Sequence, residues 1–167
     1  MRKIFAFLLL VMFSTVMFAQ DISGSLEKLA RAGEAKLVVD YSGASIHGMT
    51  EEDFAKYEKH WYKDEPVVAA MFHSSFIDGL DDVIVCSSAV DSPFTVVAKI
   101  FDVNVKGDTK LSLYVYHDGE EIAVIKGIKE DGGTFGTKMN LIKDGARHSG
   151  FKAGKVLKRL IKKALKK

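Results

Sequence analysis

Between Phe94 and Gly136 the chain reads FTVVAKIFDVNVKGDTKLSLYVYHDGEEIAVIKGIKEDGGTFG. Three runs rich in Val, Ile, Phe and Tyr are broken at Lys106-Gly107-Asp108 and at Asp118-Gly119. Asp-Gly between two alternating apolar runs is the strongest short-range hairpin signal, because both central residues of a type I′ turn need φ > 0. The stretch therefore predicts a three-stranded antiparallel meander, Phe94–Val105, Lys110–His117 and Glu120–Ile128. One face of its first strand carries Phe94, Val96, Ala98 and Ile100, the other Val97, Phe101 and Val103. Both faces are expected to be covered.

The C-terminal segment supplies a cover. At about 100° per residue, Ala153, Val156, Leu157, Leu160, Ile161, Ala164 and Leu165 share one half of a helical wheel. Lys152, Lys155, Lys158, Arg159, Lys162, Lys163 and Lys166 share the other. This is a basic amphipathic helix, expected from near Lys138, with its apolar half on the sheet. Ala146 and Gly150 continue the stripe as small residues and allow close approach to the sheet backbone. Gly145, Gly150 and Gly154 each weaken a helix by about 1 kcal/mol relative to Ala, so a kink or break is expected near Gly145.

Before the meander, Ser25–Ala32 has two readings, a short helix capped by Ser25 or a frayed terminus. Lys36–Tyr41 (KLVVDY) reads as a strand and Ser42–Gly48 as loop. Thr50-Glu51-Glu52-Asp53 opens a helix to about His60, with Thr50 and Asp53 placed as in a capping box. A second helix is expected to start at Pro66, a favoured first-turn residue, and to stop at Gly79 and Asp81-Asp82. Val83–Ser87 is a further strand. The order β, α, α, β, β, β, β, α predicts an α/β (α+β) domain, a mixed sheet of about five strands packed against helices, as one unit over 20–167.

Charge divides the chain in two. Gln20–Phe135 holds 11 Lys/Arg against 21 Asp/Glu, a balance of −10, and Gly136–Lys167 holds 11 against Asp144 alone, a balance of +10. Such asymmetry leaves three readings of the basic helix: a solvated charged face above a docked apolar half, contact with an anionic surface, or an acidic partner. An envelope protein, an anionic envelope surface and a second copy's acidic body all qualify, the last making a homo-oligomer. Arg2 and Lys3 precede the apolar run Ile4–Phe18 of 15 residues. As a helix it would extend about 22 Å, short of a hydrocarbon core of roughly 30 Å, which fits a signal peptide over 1–19. Ala19 stands before the expected cut, although Met17 occupies a site where a small residue is usual. Cys86 is the single cysteine; set in Val83-Ile84-Val85-Cys86, it reads as a buried apolar residue. Export without disulfides suits a bacterial periplasm or outer envelope.

Several features weigh on chemistry. Tyr57, His60, Trp61 and Tyr62 form an aromatic cluster, with Tyr57 and Trp61 four residues apart as for one helical face. Packing is the common role for such a group; stacking on a sugar or peptide is the functional one. Gly132-Gly133-Thr134-Phe135-Gly136 reads as a strand-to-helix turn with Phe135 buried as its anchor, since Thr137 stands where a phosphate-binding loop needs Gly before Lys. His47, His60, His73, His117 and His148 are scattered without metal-site spacing, so no metal or cofactor is expected. Asp40 and Asp102 are the acids placed in or at the end of strands. Neither a Gly-x-Ser-x-Gly elbow nor a Cys/His pair is present to carry nucleophilic catalysis.

Phe76-Ile77-Asp78-Gly79, the strand Phe94–Val105, Asp118-Gly119-Glu120, the GGTFG run and the Lys-rich final helix together resemble a family of small uncharacterised exported proteins of bacterial envelopes. Their domain is similar in layout to the α/β fold of the curli-secretion lipoprotein and the amino-terminal domain of the translocation protein TolB. The resemblance implies location and fold rather than an activity. The chain departs from lipoprotein members in lacking a Cys after the apolar run. The expected function is a non-enzymatic envelope protein acting by binding or assembly, with Lys155, Lys158, Arg159, Lys162 and Lys163 as contacts and no nucleic acid as partner. The alternatives are a small-ligand or carbohydrate-binding domain using Tyr57, Trp61 and Tyr62, and an unrecognised hydrolase.

Overall fold

A computed structural model describes residues 21–166; the expected signal segment at 1–19 lies outside them. The elements are β1 (Ile22–Gly24), α1 (Glu27–Ala32), β2 (Glu34–Asp40), β3 (Ser45–Ile46), β4 (Met49–Thr50), α2 (Glu51–Tyr57), α3 (Trp61–Leu80), β5 (Val85–Ser87), β6 (Phe94–Val103), β7 (Thr109–His117), β8 (Glu120–Glu130) and α4 (Lys138–Ala164). The α/β class, the meander and the long basic final helix are as the sequence predicts. The sheet is larger than expected, with eight strands along the order β1-β8-β7-β6-β2-β5 and the β3–β4 pair set beside the end of β6. The strands missed, β1, β3 and β4, are two or three residues long, too short to show an alternating pattern.

Turn chemistry accounts for the meander. Asp118 and Gly119 both take positive φ, 50° and 82°, and β7 pairs antiparallel with β8 across them. β6 ends two residues sooner than expected because Asn104 Oδ1 accepts from Lys106 N at 2.8 Å and Asp108 N at 3.0 Å, drawing the chain into a loop. In that loop a side chain on Gly107 would collide with the Leu141 carbonyl of α4. β2 lies parallel to both β6 and β5, which makes the sheet mixed.

The helices α1, α3 and α4 cover one face. Leu37, Val96, Ala98, Ile100, Leu113, Val115, Ile125 and Ile128 point into it and meet Val68, Phe72, Phe76, Ile142, Leu157 and Ile161, all essentially inaccessible. The expectation that both sheet faces are covered is wrong. On the far face Val97 is half-buried and Phe101, beside a register shift after Ile100, is exposed. A strand rich in Val and Phe on both sides mimics a buried one, and burial cannot be told from composition alone.

α3 and α4 run parallel and in close contact. A Cβ added at Gly150 would lie 2.3 Å from the Phe72 carbonyl oxygen, and one at Gly154 2.2 Å from that of Phe76. The small residues of α4 therefore admit a neighbouring helix, not the sheet backbone as the sequence suggested, and the Gly145 side of α4 meets the Gly107 loop. That packing also explains why α4 is unbroken through Gly145: the helix penalty of each glycine is offset by contacts no larger residue could make. α3 begins at Trp61 rather than Pro66, which lies inside it. Pro lacks one donor, and the adjoining Tyr62 and Val67 are exposed, so its place is at the wet edge of the helix. α2 stops at Tyr57, short of His60, after opening as expected with Thr50 Oγ1 accepting from Asp53 N at 3.1 Å.

Candidate functional site

The strongest site feature is the outer face of α4. Its apolar residues Ala153, Val156, Leu157 and Ile161 are buried, while Leu160 and Ala164 are partly covered. Leu165, just past the helix end, is 57 % exposed and leaves the stripe. Docking that stripe forces Lys155, Arg159, Lys162, Lys163 and Lys166 outward, with Lys152 and Lys158 half-buried at the border. Together with Val156 they line a shallow furrow of about 620 Å³.

Lys152 and Lys158 are held by carboxylates of the body. Lys158 bridges to Asp81 at the end of α3, and this bond holds the Asp81 carboxyl below its ordinary range. Lys152 sits 3.3 Å from Glu130. Lys155 lies 5.2 Å above the Phe151 ring. Lys155, Lys162, Lys163 and Lys166 form no ion pair with a carboxylate among the described residues. Four like charges on about three helical turns repel one another, so a polyanion brought to this face relieves repulsion as well as adding attraction.

The aromatic cluster does not assemble. Glu58 leaves helical geometry at φ −101°, ψ 89°, so Tyr57 and Trp61 belong to different helices and their four-residue spacing places them on no common face. Trp61 is 1 % exposed. Its ring stands edge-on to Phe54 at 5.2 Å and to Tyr41 at 6.0 Å, and Nε1 donates to Glu51 Oε1 at 3.3 Å. Trp61 therefore has no ring face to offer a sugar. Tyr62 is exposed but stands alone, and Tyr57 is taken up by Lys138, whose Nζ lies 4.4 Å from the ring centroid and bonds its hydroxyl.

The glycine-rich turn also differs from expectation. Phe135 is 88 % exposed, not an anchor. The turn is held instead by Asp108 Oδ1, which accepts from Gly132 N at 2.8 Å, and by Thr137 Oγ1, which accepts from Asn140 N at 3.3 Å at the start of α4. The Gly132 amide lowers the Asp108 carboxyl, so a carboxylate of the chain itself takes the part an external anion would play.

The remaining candidates serve structure. Burial alone would raise the Asp40 carboxyl, but hydrogen bonds from Lys99 Nζ at 2.7 Å and from Ser42 outweigh it and hold the group low. Asp102 pairs with Lys110 at 2.7 Å. Cys86 is buried and its thiol is pushed up to about 12, which keeps it in the unreactive thiol form. Among the described residues no three His, Cys, Asp or Glu side chains converge as a metal site, and no helix is long and apolar enough to cross a membrane.

Sequence reasoning missed a cleft of about 300 Å³ between α3 and the edge of β2, lined by Leu37, Val39, Pro66, Ala69, Ala70, His73 and Ser88. Its signal, small or flat residues at Pro66, Ala69, Ala70 and His73, is readable only once the start of α3 is known.

No family model and no curated protein matches the chain. The PelC dodecamer from Paraburkholderia phytofirmans overlays 84% of this chain and 96% of its own at 11% identity and a TM-score of 0.43. A single-substitution variant of that dodecamer does so at 9% identity and 0.41. A likeness at that level assigns neither a family nor a function.

Proposed function

We propose that this is a non-enzymatic exported protein of the bacterial envelope that acts by binding, its α4 face docking to an anionic surface. The observation that carries the reading is the set of four lysines, Lys155, Lys162, Lys163 and Lys166, left exposed by the docking of the stripe beneath them and forming no direct ion pair with a carboxylate among the described residues. Because that stripe is buried against the sheet and α1, α4 cannot lie in lipid as an amphipathic helix does; contact is through charge alone. Each Lys near an anionic surface contributes about 1 kcal/mol at physiological salt. The expected export, read from Arg2, Lys3 and the apolar run after them, supports the envelope as the place where such surfaces are met.

Vesicles of phosphatidylglycerol test the reading. Changing Lys155, Lys162, Lys163 and Lys166 together to Gln should weaken binding by roughly a thousandfold, about 4 kcal/mol. Raising salt from about 50 to about 500 mM should do the same to the unchanged protein. Binding that ignores both salt and these substitutions would refute it.

A further inference from the structure

β2 is only partly flanked. β6 runs beside Lys36–Asp40, but on the other side β5 pairs with Glu34, Ala35 and Lys36 and then ends. From Leu37 to Asp40, about 13 Å of strand, that side of β2 has no strand neighbour among the described residues. Backbone N–H and C=O groups are obligatory hydrogen-bonding groups, and an open strand edge is a template for another strand.

The gap is held open by specific contacts. Directly after β5 the Ser88 amide donates to His73 Nε2 at 3.1 Å, and the Ala89 amide to Ser87 Oγ at 3.2 Å. The first bond ties the chain to α3 and the second turns it within the segment itself. Facing the vacated edge, α3 presents Pro66, Ala69, Ala70 and His73, small or flat side chains at helical spacing. They leave the cleft of about 300 Å³ walled by Leu37 and Val39 on the strand side. Larger residues at 69 and 70 would have filled it.

The far end of the cleft is acidic. Asp40 closes β2 and Glu65 adjoins Pro66, with Asp40 and Glu51 each near enough to act on Glu65. Neither Glu51 nor Glu65 forms an ion pair with Lys or Arg among the described residues. Lys99 is committed to Asp40, while burial, then the nearby Glu51 and Asp40, raise the Glu65 carboxyl.

We propose that this cleft docks an extended peptide strand, apolar along its length and carrying Lys or Arg at the end nearest Glu65, which pairs its backbone with Leu37–Asp40 in continuation of β5. Main-chain bonds supply the affinity of such strand addition, and the small-residue wall and acidic end supply the selectivity. The cleft lies on the flank of α3 that does not meet α4, so this site and the basic face stand or fall separately.

The test is titration of the ¹⁵N-labelled chain with the peptide acetyl-Val-Ala-Val-Ala-Val-Lys-amide, whose Lys reaches Glu65 when the strand runs parallel to β2 as β5 does, followed by NMR. Shifts are expected at the amides of 37–40 and 67–73, and those amides of 37–40 that point away from β6 should gain protection from exchange. The same peptide N-methylated at every amide should not bind. Ala70→Glu, at an exposed helix position that leaves the far-ultraviolet circular dichroism unchanged, should weaken binding at least tenfold. Glu65→Gln should weaken it several-fold, and not at all for a peptide with norleucine in place of Lys. Absence of shifts at 37–40, equal binding of the N-methylated peptide, or indifference to Ala70→Glu would each overturn the proposal.

Discussion

Two long helices lie side by side in this molecule, point the same way and share one seam, yet they present opposite surfaces. α4 divides cleanly into a buried stripe and a charged face. α3 buries Trp61, Val68, Phe72, Phe76 and Leu80 but leaves Tyr62, Val67 and Ile77 exposed, and its free flank is small and apolar rather than charged. A helix that borders water on its whole outer side needs charge there. A helix whose flank runs along a strand edge does not, and its pattern blurs. The difference separates a surface suited to a polyanion from one suited to an extended chain.

The contrast is most open to challenge at the root of α3. Trp61→Ala should cost about 3–5 kcal/mol, the range for emptying a fully buried large aromatic site, read as a fall in the denaturant midpoint. A loss under about 1 kcal/mol would mean that Trp61 does not anchor α3. Gly154→Ala tests the shared seam: its Cβ would meet the Phe76 carbonyl, so the better helix former should destabilise by about 1–3 kcal/mol. A gain in stability would show that the two helices are not in close contact.

A smaller effect should appear with acid. Burial lowers His73 below 6.5, and burial followed by the charge of Lys138 lowers His47 below the same value. Well above 6.5 both are neutral whether folded or not. As pH falls from there the unfolded chain takes up protons that the folded one resists, so stability should drop between about pH 7.5 and 5.5. His73→Gln, which keeps an acceptor for Ser88 N, should flatten that slope. Smallest of all is Phe135→Ser, expected within about 0.5 kcal/mol because the ring is exposed. A larger loss would mean that the ring packs against the body of the protein after all.

Much of the architecture was legible because local signals agreed: Asp118-Gly119 fixed a hairpin, Thr50 marked a helix start, and the seven-residue stripe of α4 named its buried side. The misreadings came from signals that need a partner to be interpreted. Pro66 is a good first-turn residue in isolation, but the burial of Trp61 between Phe54 and Tyr41 winds α3 five residues earlier. The glycines of α4 read as weakness because their neighbour, the backbone of α3, lies about 78 residues away in sequence. Phe135 read as an anchor because aromatic residues in tight turns usually are buried, while here Asp108 does the anchoring. At the candidate site, the lysines were visible from the sequence and the cleft was not, since it depends on β5 ending early through a bond from Ser88 to His73.

The parallel course of α3 and α4 has an electrical consequence. Their carboxyl ends add two partial negative charges at one pole of the molecule, where Lys158 of α4 bridges to Asp81 at the end of α3. Part of the positive tail is thus an internal counterweight, and only the remainder is on offer to the outside. Removing the last turn should loosen the end of α3 as well as the grip on an anionic surface.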